Sequence, residues 1–187
     1  LLYMFNENKT LEQYRKTPLF LGAEPGLFDT IHKQYPKIWS LYKEMKSLDW
    51  SEDEFDYSQC SIDFKNCPED VADIMIKTLA FQWEADSTAT RSIIACFAPF
   101  ISTSELFAAW QRISDNEVVH GACYSEIVRM SFDNPNQVLG QILEVKESLT
   151  RLKTVSEVFK ELSEKGSAYN LKQIDNNQEL YYAVYLG

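Results

Sequence analysis

Positive charge is in deficit in this sequence. Lys and Arg number 18 against 28 Asp and Glu, and the net charge of −10 argues against a nucleic-acid or anionic-membrane surface. No apolar run reaches the roughly 18–20 residues of a membrane span, and Leu1-Leu2-Tyr3-Met4-Phe5 is too short for a secretory h-region, so a cytoplasmic protein is expected. The four cysteines, Cys60, Cys67, Cys96 and Cys123, contain no CxxC pair. Cys60 and Cys67 flank a polar loop, Cys96 and Cys123 sit in apolar surroundings, and all four read as small hydrophobes rather than a disulfide framework. There is no N-G or D-G hairpin signal, little alternation, no internal repeat and no low-complexity segment, which leaves no basis for a sheet.

What is present is helical periodicity. After an irregular lead-in over residues 1–27, broken by Pro18, Gly22, Pro25 and Gly26, a helix is predicted from about Phe28 to Leu48. An acidic connector containing Trp50 follows. Cys67-Pro68-Glu69-Asp70 then starts a long helix, with proline at its first position and acids in its first turn, running to about Phe97. A capping box at Ser102-Thr103-Ser104-Glu105 opens a second long helix, from about Thr103 to Phe132, where Asp133-Asn134-Pro135 stops it. A third helical stretch is predicted from Val138 to about Lys165, with Leu139, Ile142, Leu143, Leu149, Leu152, Val155, Phe159 and Leu162 on its apolar face. Long helices joined by short, proline-marked loops define an all-α bundle, expected here as one domain over 1–187.

Some polar groups sit where such a bundle should be apolar. On the first long helix Asp86 follows Trp83 by three and Leu79 by seven, on the side that also holds Ala72, Met75 and Ile76. A buried unpaired carboxylate costs several kcal/mol, so Asp86 should be protonated, paired or bound to a cation. Glu84 points about 200° away from it and is expected in solvent. On the second helix Glu117, His120 and Tyr124 fall within a stripe roughly 60° wide. Glu117 and His120 form an E-x-x-H pair, one turn apart and able to reach one ion, as in bundle-core dimetal carboxylate sites. Carboxylates with one imidazole suit iron or manganese better than zinc. A phenol beside a redox metal has a specific use, since losing an electron and a proton leaves a phenoxyl radical. The apolar neighbours Ile113, Ile127, Val128 and Met130 suit the burial such a radical needs.

At these residues the sequence resembles the small, radical-generating subunit of class I ribonucleotide reductase. The resemblance rests on Asp86, on E-x-x-H-x-x-x-Y at Glu117, His120 and Tyr124, on the interval from Asp86 to Glu117, on Trp50 upstream and on the early segment KTPLFLG, and it covers residues 16 to 135 or so. It implies a ferritin-like helical bundle whose di-iron centre takes Asp86 and His120 on one iron, with Glu117 bridging to the other. Manganese–iron or di-manganese occupancy would use the same ligands. It further implies that Tyr124 stores the radical and that Trp50 relays an electron toward it and radical character away from it. The implied partners are a large catalytic subunit that reduces ribonucleotides and a second small subunit in a homodimer.

The family's site also needs a further carboxylate and a second carboxylate-x-x-His pair. None is found beyond residue 136, because His32 and His120 are the only histidines, and Glu144, Glu147, Glu157, Glu161, Glu164 and Glu179 read as solvated. The chain therefore looks like the N-terminal half of such a subunit: a split gene, a processed protein or a truncated product. The split form, completed by a complementary C-terminal chain, is the expectation adopted. Two other classes fit fewer of the residues: another ferritin-like di-iron oxidase or monooxygenase, and a non-enzymatic helical interaction module.

Overall fold

The computed structural model describes residues 10–20 and 27–166. Its helices are α1 (Leu11–Arg15), α2 (Pro36–Ser47), α3 (Cys60–Asn66), α4 (Glu69–Ser92), α5 (Ser104–Ser131), α6 (Pro135–Leu143) and α7 (Lys146–Gly166). Among the described residues the only extended pairing is an isolated antiparallel bridge between Phe20 and Ile101. The all-α prediction holds. The described residues divide into two compact units, one built from those up to 49, from 91–114 and from 155 onward, the other from 50–90 and 115–154.

The boundaries differ from expectation in places that have local causes. Within the supposedly irregular lead-in, Thr10 and Gln13 make a reciprocal capping box that starts α1. The helix predicted from Phe28 begins only at Pro36. Before it, Asp29 Oδ1 accepts the backbone N–H groups of Ile31 and His32, each at 2.7 Å, which holds the chain in a turn. Glu105, on α5 and buried, accepts the N–H of Gln34 at 2.9 Å and of Tyr35 at 3.4 Å, satisfying donors at the entrance of α2. The segment between Cys60 and Cys67, read as a loop, is the helix α3. The first long helix is regular to Ser92 and then continues as a π-turn over Ile93–Phe97 and a 3₁₀ turn over Ala98–Phe100, with Pro99 in the latter. The third predicted helix is two, broken at Glu144 and Val145.

In the first unit the apolar interior consists of Ile93, Cys96, Phe97, Phe100, Ile101, Ala108 and Ala109. Phe97 stacks on Trp110 at 5.6 Å and meets Phe159 edge-on at 5.5 Å. The second unit packs Ala80 of α4, Val128 of α5, and Val138 and Ile142 of α6 into one cluster, flanked by Ile76, Trp83, Phe132 and Val145. Phe64 of α3 closes on Phe132 at 4.8 Å. Met75, expected on the buried side of α4, is exposed, because the contact stripe passes through Ile76, Leu79, Ala80 and Trp83. This cluster holds α4 and α5 together, and the functional side chains of the second unit stand on those two helices.

Candidate metal centre

Asp86 lies in the last third of α4, and Glu117, His120 and Tyr124 follow one another along α5. The three metal-ligating types converge: one donor atom each from Asp86, Glu117 and His120 lies within 4.8 Å of the others. His120 Nδ1 is 2.9 Å from Glu117 Oε2 and 3.6 Å from Asp86 Oδ2. The carboxylate side chains are 20% and 21% exposed for Glu117 and Asp86, and the imidazole 36%. Two carboxylates this close and this shielded repel each other, and a cation or a shared proton offsets that repulsion. The donor set is hard oxygen with one imidazole nitrogen, so it fits iron or manganese. Three donors also leave coordination positions for other groups.

Tyr124 joins the cluster through its hydroxyl, which donates to Asp86 Oδ2 at 2.8 Å. Burial holds the Tyr124 phenol above its ordinary pKa, with the Asp86 hydrogen bond and the charges of Asp86 and Glu117 adding to the shift. The phenol proton is therefore kept, facing an acceptor. Of its predicted apolar neighbours on α5, Val128 is buried, Ile113 and Ile127 are half-buried and Met130 is exposed. Trp50 packs on the imidazole: its indole stacks on the His120 ring at 5.7 Å with 30° between planes. All five residues singled out from sequence thus belong to the same unit and touch one another in a chain.

Two residues of the same unit escaped the sequence reading. Glu84 is half-buried rather than solvated, and its Oε2 is shielded without a hydrogen-bond partner among the described residues. Tyr57 lies against Cys123, its hydroxyl 3.1 Å from Sγ. Burial raises the Tyr57 phenol pKa as well, with the adjacent thiol the next cause. No motif marks either residue: Tyr57 depends on how the connector after Trp50 folds onto α5, and Glu84 on side-chain packing around α4. Among the acids read as solvated, Glu144, Glu147, Glu157 and Glu164 are exposed; the Glu161 side chain and Glu179 lie outside what is described.

The helices and the carboxylate–imidazole cluster they carry define the ferritin-like class of helical proteins. The fold agrees with that of a ribonucleotide reductase R2 subunit from Clostridium botulinum, with a TM-score of 0.76 at 18% identity, over 87% of this chain and 50% of that one. Residues 27–182 match the family model of the ribonucleotide reductase small chain, and the chain belongs to that family. Among curated proteins it is similar to the ribonucleoside-diphosphate reductase beta subunit of Buchnera aphidicola subsp. Baizongia pistaciae, at 27% identity over 89% of this chain and 44% of that protein. The beta subunit of Haemophilus influenzae matches at 27% with the same coverage. That of Buchnera aphidicola subsp. Schizaphis graminum matches at 30% over 79% of this chain and 39% of the relative. The chain spans less than half the length of these relatives. Among the described residues no helix is long and apolar enough to cross a membrane.

Proposed function

We propose that this chain is the N-terminal part of the radical-generating small subunit of a class I ribonucleoside-diphosphate reductase. Asp86, Glu117 and His120 hold a di-iron centre, Tyr124 stores the radical and Trp50 relays electrons. The observation that carries the reading is the meeting of three ligand atoms within 4.8 Å with a phenol bonded to one of them. When bound, the metal pair supplies the oxidising power that a phenol cannot generate alone.

The chain's own residues prepare for that oxidation. A ligating imidazole nitrogen carries no proton, and Glu117 Oε2, 2.9 Å from His120 Nδ1, brings a carboxylate oxygen and that nitrogen within reach of one ion. Asp86 Oδ2 accepts the Tyr124 proton, so loss of an electron from the phenol is matched by a proton shift over 2.8 Å. Trp50, packed on the face of the His120 ring, couples the cluster to the connector that leads away from it.

The same reading supplies the partners: a large catalytic subunit that converts ribonucleotides to deoxyribonucleotides, a second small subunit, and a complementary C-terminal chain carrying the remaining ligands. Iron(II) and oxygen added to the chain, alone and with such a C-terminal chain, test it. Retained iron and a tyrosyl EPR signal absent from Tyr124→Phe are expected. Failure to retain iron or manganese under both conditions overturns the reading.

A further inference from the structure

A second phenol lies close to the cluster and has no part in the function proposed above. Tyr57 is half-buried in the connector between Trp50 and α3. Its hydroxyl is 3.1 Å from the carbonyl oxygen of Glu52 and 3.1 Å from Cys123 Sγ. The carbonyl can only accept, so it takes the phenol proton, and the thiol donates its S–H to the phenol oxygen. Cys123 immediately precedes Tyr124 on α5.

A row of rings joins this pair to the metal ligands. The His120 imidazole stacks on Trp50 at 5.7 Å, Trp50 meets Phe55 edge-on at 5.4 Å, and Phe55 lies 6.3 Å from Tyr57. The row contains two oxidisable aromatics, Trp50 and Tyr57, with a phenyl ring between them as a π bridge. It ends at a thiol, whose S–H bond is close in strength to a phenol O–H, so a hydrogen atom can pass between the two. Phe55, in the middle of the row, is 52% exposed, whereas Tyr57 and Cys123 at its end are half-buried.

We propose that Tyr57 and Cys123 form a second oxidisable site, where an oxidising equivalent that reaches Trp50 comes to rest when Tyr124 does not hold it. The source of that equivalent rests on the function proposed above; the site itself rests on the geometry of the row. One electron passes from Tyr57 to the oxidised indole of Trp50, restoring the tryptophan. The phenol proton leaves to solvent from the half-buried hydroxyl. The resulting phenoxyl takes the hydrogen atom of Cys123 across the 3.1 Å contact, which restores the phenol and leaves one unpaired electron on sulfur. No further oxidant is needed. The row thus leads from Trp50 through Phe55 and Tyr57 back to α5, where the unpaired electron ends on the Cys123 thiol rather than on a metal ligand.

Radical trapping tests it, with Cys60 and Cys67 as internal controls of the same half-buried class as Cys123. The full chain is oxidised in the presence of a nitrone trap in two ways: by iron(II) and oxygen, with bound iron measured separately, and, metal-free, by a flash-activated ruthenium photo-oxidant. Peptide mass spectrometry then locates the adducts. Cys123 is expected to carry several-fold more adduct than Cys60 or Cys67. Tyr57→Phe and Phe55→Leu should each bring Cys123 down to the level of the controls, in protein whose helical circular dichroism is unchanged. Equal labelling of the three cysteines, or a Cys123 adduct indifferent to either substitution, overturns the proposal. Failure to bind iron counts against the metal reading alone, since the photo-oxidant arm still decides whether the row and the pair exist.

Discussion

Tyr124 donates its phenolic proton to Asp86 Oδ2 over 2.8 Å, and the same oxygen stands 3.6 Å from His120 Nδ1. One carboxylate oxygen therefore serves both the oxidisable group and the nitrogen ligand. Tyr124→Phe removes the donor and leaves all three ligands in place. We expect unchanged metal stoichiometry, loss of any tyrosyl EPR signal, and a stability loss of about 1 kcal/mol for one partly buried hydrogen bond. Metal analysis, EPR and urea denaturation of the same preparation check the three parts.

Removing a ligand should act in the opposite way. His120→Ala deletes the only imidazole of the cluster and leaves Asp86 and Glu117 facing each other without it. Metal affinity should fall by more than the roughly 10–100-fold that loss of an outer-shell partner costs. Manganese(II) titration by calorimetry measures this without oxidation chemistry. Asp86→Asn should also weaken binding, whereas the exposed Glu147→Gln should leave it unchanged.

The legibility of the site follows from where its residues stand. Glu117, His120 and Tyr124 share one helix, so a period of 3.6 aligns them without any knowledge of the tertiary fold. Asp86 was visible as a charge out of place on an apolar stripe, and packing of α4 on α5 brings it to the others. Tyr57 and the shielded oxygen of Glu84 were not legible. One depends on the path of an irregular connector, and the other on side-chain packing that no periodicity encodes. The same limit governs the fold: α4 and α5 were placed within a few residues, while the entrance of α2 was missed. It is fixed by Asp29 and by Glu105, 71 residues from Gln34 in sequence.

Alkaline titration gives a third check. Burial and Asp86 hold the Tyr124 phenol protonated beyond the ordinary phenol range. Its contribution to stability is fully present below the unfolded value of about 10 and is lost as pH rises through the folded value. Above about pH 10 the native chain should therefore lose stability more steeply than Tyr124→Phe. The phenolate absorbance missing from Tyr124→Phe should develop later than that of the exposed tyrosines. A difference step inside the ordinary range would mean that the phenol is not shielded by the cluster.

The end of α6 yields the last prediction, because two neighbours there that sequence periodicity treats alike differ in burial. Ile142 and Leu143 both fit an apolar face of one continuous helix from Val138 onward. In the structure Ile142 is 2% exposed, packed in the cluster with Ala80, Val128 and Val138, whereas Leu143 is 64% exposed. Ile142→Ala should cost about 2–5 kcal/mol, a large share of the roughly 5–15 kcal/mol that holds a typical domain folded. Leu143→Ala should stay within about 0.5 kcal/mol. Urea midpoints should then shift strongly for the first variant and barely for the second, with the slope of both transitions unchanged. Equal losses would mean that α6 is turned so that both side chains face the cluster. The packing of α6 behind α4 and α5, which keeps Asp86 opposite His120, would then have to be redrawn.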